Sequence, residues 1–418
     1  MSVIYDNALN CHYLDTYLDK TQDKNNRIFT AAWDFPPIVN GESIVCYKSI
    51  KYSKLNYDIL TSAFTMGHID QQNKYKYREN LGIYSLSQSP FEWAHQVSDI
   101  FKVLDKKHDY KIIHTRTMPP IGHYAGFLIK MFKPKIKWVM YFSDPLWNSP
   151  YMSIKIKDGI IHKMKETPYY RTLVFGSFFA KLGIHMCDRI IFSNEYVARH
   201  ILGKHYNKLE DKVRIVPFGY DKEVIDTITP KEKADHKVVI SHVGQVYNAR
   251  NFNILIHALI KVKEKRPDCY SKLLIRQIGY IEEHQKKGIL NSMAADAFEF
   301  IPEVNYEDSV AYMMGSDFLL TIDALFEDLD YNVYVPSKIH DYIGVHKPVV
   351  AVTQTKGPTA DIIKNTNNIL IDHNTDEMMN FLIQAVTGQV KEPNYEKYTM
   401  YDCKKSSQLF DDVFRELL

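Results

Sequence analysis

Two stretches of the chain carry residue types at spacings that suit a phosphorylated ligand. The first is Val335-Pro336-Ser337-Lys338-Ile339-His340-Asp341-Tyr342-Ile343-Gly344, which runs on through Val345-His346-Lys347 into Pro348-Val349-Val350-Ala351-Val352. Ile339, Tyr342 and Ile343 fall at i, i+3 and i+4, the apolar stripe of a short helix. Pro336 suits its first turn, where a missing N–H costs nothing, with Ser337 and Lys338 beside it. A helix start presents free N–H groups and the positive end of the dipole, so with a lysine it is a seat for a phosphate. Asp341, about one turn further on, can accept hydrogen bonds from a ribose. The second stretch is Ser241-His242-Val243-Gly244-Gln245-Val246-Tyr247-Asn248-Ala249-Arg250-Asn251-Phe252. An apolar strand ends at Gly244, a short polar loop follows, and a helix begins near Asn251. The glycine lets backbone approach a phosphate closely, and the helix start adds donors.

Three further strings lie at the ends of strand-like runs, where ligands gather in open parallel sheets. Trp33-Asp34-Phe35-Pro36-Pro37-Ile38-Val39-Asn40-Gly41-Glu42-Ser43 follows a strand and precedes a helix. His114-Thr115-Arg116-Thr117-Met118-Pro119-Pro120 offers Arg116 to an acidic or phosphorylated partner, while His114 alone reads more readily as a packed residue. Trp138-Val139-Met140-Tyr141-Phe142-Ser143-Asp144-Pro145-Leu146-Trp147 places Asp144 just past its strand, with Trp147 as a surface for stacking a sugar.

The elements that must position these residues alternate along the chain. Strand-like runs at 27–33, 57–62, 110–114, 137–142, 187–193 and 213–217 are interleaved with helical ones at 41–53, 88–107 and 121–132. This order implies a parallel sheet covered on both faces. Residues 218–236 are polar with turn residues at both ends, the best candidate for a linker. The alternation then restarts at 237–243 and continues through 272–278, 297–301, 317–322, 348–352 and 368–371. Residues 153–181 break the rhythm, mixing basic Lys155, Lys157, Lys163 and Lys165 with Ile154, Ile156, Phe175 and Phe178. They read equally as an element resting on an anionic bilayer or as an amphipathic surface whose lysines are solvated. Thr167-Pro168 interrupts any single long helix there.

Composition sets bounds. The 418 residues allow two or three domains with sizeable cores, and 45% apolar with 24% charged residues is ordinary for a globular protein. A formal net charge of +2 gives no overall signature of nucleic-acid binding. Five scattered cysteines without a C-x-x-C pair argue for a reducing compartment and against a disulfide framework or zinc site. Neither a secretory leader nor an apolar run long enough to span a bilayer is visible, so a cytoplasmic protein is expected.

The string P-S-K-I-H-D-Y-I-G-V-H-K-P-V-V-A-V resembles the nucleotide-sugar-binding segment of GT-B-fold glycosyltransferases, above all the retaining group-1 enzymes of bacterial capsule, exopolysaccharide and O-antigen synthesis. The resemblance implies an α/β GT-B fold, two Rossmann-like doubly wound domains facing a cleft. Residues 1–225 would form the acceptor-side domain, with 394–418 packing back on it, and 236–393 the nucleotide-sugar domain. It further implies transfer of a sugar from a nucleotide-diphosphate-sugar to a glycan or lipid-linked acceptor at the inner face of the plasma membrane, without a cofactor or bound metal.

Site roles follow from the same resemblance. Lys338 and Arg250 would grip the diphosphate, with Gly244, Gln245, Ser337 and Asp341 around the nucleotide. Gly41 matches the second glycine of the family's Pro-Pro…Gly-Gly loop, whose backbone faces the donor phosphates and the acceptor, with Asn40 in place of the first. Asp144 would hold the donor sugar or an acceptor hydroxyl, serving as base if the reaction inverts, with Trp147 as a platform for stacking a sugar and Arg116 offered to the acceptor. Departures are clear. Gln245 stands where the family has its first cation, Ser143 where it often has His, and the first of two spaced glutamates is replaced by Val333. Glu327, Asp328 and Asp330 invite a metal-binding reading of the GT-A kind, against which acidic loops are ordinarily solvated. A nucleotide-sugar epimerase and a catalytically silent partner of another transferase are the alternatives.

Overall fold

In the computed structural model the described residues are 27–36, 40–62, 81–86, 89–151, 168–247 and 249–418, of which 81–85, 168, 169 and 171 are described by their backbone alone. The chain divides into two compact units, Met1–Phe218 with Cys403–Leu418, and Gly219–Asp402.

Among the described residues the first unit is built on seven parallel strands: β1 (Arg27–Ala31), β2 (Asn56–Ser62), β3 (Leu81–Leu86), β4 (Ile112–Arg116), β5 (Lys137–Phe142), β6 (Arg189–Phe192) and β7 (Val213–Ile215). Their order in the sheet is β3-β2-β1-β4-β5-β6-β7. Near-continuous apolar runs, fully buried in β1 and β4, are what a parallel sheet covered on both faces requires. The helices used below are α1 (Gly41–Ile50), α2 (Pro90–His108), α3 (Ile121–Phe132), α4 (Pro168–Met186) and α5 (Glu195–Leu202). Strand β3 escapes the sequence reading, because Leu81-Gly82-Ile83-Tyr84-Ser85-Leu86 is a short, glycine-containing edge strand with no β-branched run beyond one isoleucine. Helix α4 begins at Pro168, the position where proline fits a first turn. Most of the basic residues of the 153–181 segment lie outside the described residues.

The second unit carries β8 (Val238–Val243), β9 (Leu273–Ile278), β10 (Phe298–Ile301), β11 (Phe318–Ile322), β12 (Val349–Val352) and β13 (Ile369–Ile371), all parallel, in the order β10-β9-β8-β11-β12-β13. Its helices are α6 (Asn253–Lys265), α7 (Glu283–Leu290), α8 (Tyr306–Met314), α9 (Lys338–Gly344), α10 (Pro358–Asn365) and α11 (Thr375–Thr387). The division of the chain falls at Phe218. Tyr220 and Ile225, inside the stretch read as a linker, are buried in this unit's core beside Tyr342 and Ile343 of α9. Tyr398 and Tyr401 join the same core, so residues through Asp402 belong to the second unit. Only α12 (Cys403–Arg415) returns to the first, where it packs on α1.

Candidate functional sites

Each sheet has one point at which strand order reverses direction, between β1 and β4 in the first and between β8 and β11 in the second. Connections from the two central strands leave toward opposite sides there, opening a crevice at the carboxyl ends. The residues with chemical potential collect at these two places.

In the second unit β8 ends in His242 and Val243, and the chain then turns through Gly244 at φ +123°. A Cβ at Gly244 would meet only ordinary van der Waals contact with Lys338, so conformation, not space, demands glycine. Tyr342 of α9 clamps the helix to the strand ends. Its hydroxyl accepts from the Val243 N–H at 2.9 Å and faces the carbonyls of Val243 and Leu320, each at 3.2 Å. That clamp brings Lys338, at the first residue of α9, back to β8, where its ammonium is hydrogen-bonded to Nε2 of His242. Burial, reinforced by the charge of Arg250, pushes the Lys338 ammonium down to about 7. Asp323, immediately after β11, completes the group. Thr353 donates to its Oδ2 at 2.9 Å, and its buried Oδ1 has no hydrogen-bond partner among the described residues. Burial pushes the pKa of this carboxyl up, opposed by the charge of Arg250 and the hydrogen bond from Thr353.

The other residues expected here fall as follows. Gln245 is exposed and Ser337 half-buried, with no side-chain cap on α9. Asp341 is buried and accepts a hydrogen bond from the Tyr306 hydroxyl at 3.0 Å, so one oxygen of the expected ribose contact is already engaged. Asp330 of the acidic loop pairs with Lys356 at 2.9 Å. No cluster of three His, Cys, Asp or Glu with the geometry to hold a metal occurs among the described residues.

In the first unit the switch point gathers Asp34 after β1, Glu42 at the start of α1, Arg116 at the end of β4, and Ser143 with Asp144 after β5. Asn40 caps α1 in a reciprocal pair with Ser43, at 2.9 and 3.0 Å, which places Gly41 and Glu42 in the first turn. Arg116 is 2% exposed. It donates through Nε to Glu42 at 3.0 Å and lies 3.8 Å over the Tyr141 ring. Nη1 and Nη2 are buried without a hydrogen-bond partner among the described residues. The guanidinium expected to meet an acceptor is thus held by an internal carboxylate. Burial, aided by the negative charge of Asp144 and opposed by Arg116, raises Glu42 to about 7. A carboxyl poised there can take or give a proton near neutrality.

Asp144 is half-buried beside this pair, and Trp147 is half-buried as well. Trp147 donates to the Ile201 carbonyl at 3.3 Å and carries the Lys181 ammonium 5.1 Å from its ring centre. His114 is packed between Thr30 and the rings of Phe410 and Phe414.

Sequence reasoning quoted Glu42 and His242 without assigning them a role, and passed over Asp323 and Gln277. An acid directly after an apolar strand is the signal for Asp323. For Glu42 and His242 the partners lie across the sheet, and no local pattern names them.

No family model matches the sequence, and neither does any curated protein. Solved structures do match in fold. A glycosyltransferase from Rickettsia africae is 15% identical with a TM-score of 0.65, covering 94% of this chain and 98% of that one. The E. coli trehalose-6-phosphate synthase bound with UDP-2-fluoro glucose is 12% identical with a TM-score of 0.63, covering 93% and 99%. The lipopolysaccharide outer core galactosyltransferase WaaB is 12% identical with a TM-score of 0.58, covering 94% and 100%. The chain therefore has the two-domain α/β fold of the GT-B glycosyltransferases along nearly its whole length.

Proposed function

We propose that the chain is a hexosyltransferase-like glycosyltransferase that moves a sugar from a nucleotide-diphosphate-sugar to a glycan or lipid-linked acceptor in cell-surface polysaccharide synthesis. The observation that carries this reading is the gathering of Arg250 and the buried Asp323 about Lys338, whose ammonium lies against Gly244 at the switch point of the second sheet. As the glycosidic bond to the donor phosphate breaks, negative charge grows on the departing diphosphate. Two fixed cations in a partly dry site stabilise that charge most where it is greatest. Asp341 and Ser337 would hold the ribose and phosphate edge. The cations come from the protein, so the transfer as proposed calls on no divalent metal or cofactor.

If the anomeric configuration is retained, the leaving phosphate takes the acceptor proton and no protein base is needed. If it inverts, Asp144 beside Glu42 is the carboxylate to test. The silent-partner reading is favoured by one feature, the exposed amide of Gln245 where a cation is expected. A lipid-linked acceptor is supported by the outer face of α4, where Val174, Phe175, Phe178 and Leu182 are exposed together.

A thermal-shift panel of nucleoside diphosphates and their sugars, followed by donor hydrolysis with one that binds, tests the reading. Binding with slow hydrolysis supports a transferase. Interconversion of one nucleotide-sugar to its epimer without acceptor points to an epimerase. Binding of no nucleotide leaves the silent partner.

A further inference from the structure

The Lys338 ammonium does not stand alone at Gly244. Its hydrogen-bond partner is a histidine, and that histidine is itself tied to the glycine loop. Nδ1 of His242 lies 2.6 Å from Oε1 of Gln277, and Nε2 of Gln277 donates to the carbonyl of Gly244 at 2.9 Å, with the carbonyl of Gly279 at 3.4 Å. His242 and Gln277 are both buried, on the paired neighbours β8 and β9.

The two carbonyls fix the amide, because a carbonyl accepts only and so requires the NH2 end of Gln277. Oε1 then faces the imidazole and must accept from Nδ1–H. With the proton on Nδ1, the lone pair is on Nε2, where the Lys338 ammonium donates. Gly279 at φ +110° lets the two carbonyl-bearing turns close together, a Cβ there standing 3.0 Å from the Gly244 oxygen. The groups around the imidazole are Lys338 of α9, Arg250 of the loop before α6, Gln277 of β9, and the edge-on ring of Phe252, while Asp323 after β11 acts on Lys338 and Arg250. With burial and two cations against it, the imidazole stays neutral, held far below its ordinary value.

We propose that His242 is a positioning residue: locked by Gln277 in its Nδ1–H form, it accepts from Lys338 and so aims the ammonium at the diphosphate that Gly244 admits. This deepens the nucleotide-site reading above and rests on it. Glycine loop, glutamine, histidine and lysine form one continuous relay, so the backbone that meets the phosphate and the cation that neutralises it are set together.

The test is titration calorimetry of the full chain with inorganic pyrophosphate and with a nucleoside diphosphate found to bind, from mildly acid to mildly alkaline pH. His242→Leu should weaken both ligands by about tenfold, the loss of one hydrogen bond to a charged group. His242→Gln should recover most of that, since its Oε1 reaches the position of Nε2. Gln277→Glu should draw a second proton onto the imidazole, turn Nε2 into a donor, and so create a loss of affinity at acid pH that the unaltered chain lacks. A wholly structural role would weaken binding equally at every pH, and His242→Gln would not restore it. Unchanged affinity in His242→Leu, or an unchanged pH profile in Gln277→Glu, overturns the relay alone. Should His242→Leu fail to fold, the other two variants decide. If the unaltered chain binds neither ligand, the nucleotide site itself is overturned, and the relay with it.

Discussion

At the scale of single residues, the Lys338 ammonium governs how binding responds to pH. Held at about 7, it is partly discharged near neutrality in the free protein. A diphosphate favours the charged form, so binding takes up a proton once pH exceeds that value, and affinity falls by up to about tenfold per unit as pH rises further. Calorimetry in buffers of different ionisation heat measures the uptake directly. It should vanish in Lys338→Arg, whose charge is permanent. Lys338→Ala and Arg250→Ala should each cost about 1–3 kcal/mol of nucleotide binding. Wild-type affinity in both would remove the diphosphate from this site.

Glu42 answers differently, through stability. Its carboxyl ordinarily titrates at 4.5 and is raised to about 7 by burial. The folded state therefore binds more protons than the unfolded one between those values, and stability falls as pH rises through that window. Glu42→Gln, which still offers an oxygen to Arg116, should lose this slope in pH-dependent melting. Glu42→Leu leaves a buried guanidinium without its partner and should cost about 3–5 kcal/mol. Lys338 and Gly244 were legible because a short helix start and a strand-ending glycine are local patterns. Arg116 was legible in identity and not in engagement, since its carboxylate lies on α1, 74 residues earlier in the chain.

At the scale of elements, apolar periodicity located nearly every central strand, because buried parallel strands are continuous apolar runs. It failed at β3, whose pattern is that of an edge. Periodicity was also ambiguous for α4, where apolar residues both fill the core and face outward. Phe179 packs on Tyr124 and Phe127 of α3, at ring distances of 4.6 and 4.8 Å, while Phe178 is 56% exposed one position away. Val174, Phe178 and Leu182 fall at i, i+4 and i+8, an outward stripe on one helix face. Such a stripe can enter a headgroup layer. Co-sedimentation with anionic vesicles should show binding that falls with salt, and replacing Val174 and Phe178 with Ser should weaken it several-fold without lowering the melting temperature. Indifference of the protein to anionic vesicles at low salt makes the stripe an ordinary surface and favours an acceptor free in solution.

At the scale of the whole molecule, the two units differ in how the chain supplies them. The second is one continuous stretch, and its core residues from Tyr220 to Tyr401 all lie within it. The first is completed only by α12, from the far end of the chain. That helix seals the sheet with aromatic side chains. Phe410 packs on His114 and Tyr141, and Phe414 on His114 and Tyr57. Polar ties reinforce it: Asp411 accepts from the Ser53 hydroxyl and from the Lys54 N–H at 2.7 Å, and Glu416 bridges Arg189 and Arg214 at 2.8 and 2.6 Å. Two buried phenylalanines and Val413 contribute roughly 1.5–3 kcal/mol each, a sum comparable to the whole stability of a domain. Removing residues 403–418 should therefore unfold or aggregate the first unit, seen as loss of one of two calorimetric transitions. A fragment of residues 219–402 should melt cooperatively and keep its affinity for a nucleoside diphosphate, since Gly244, Arg250, Lys338 and Asp341 all lie inside it. A fragment that folds and binds no nucleotide would show that the first unit supplies part of that site. A truncated first unit that keeps its transition would show that α12 is an accessory and not a closing element.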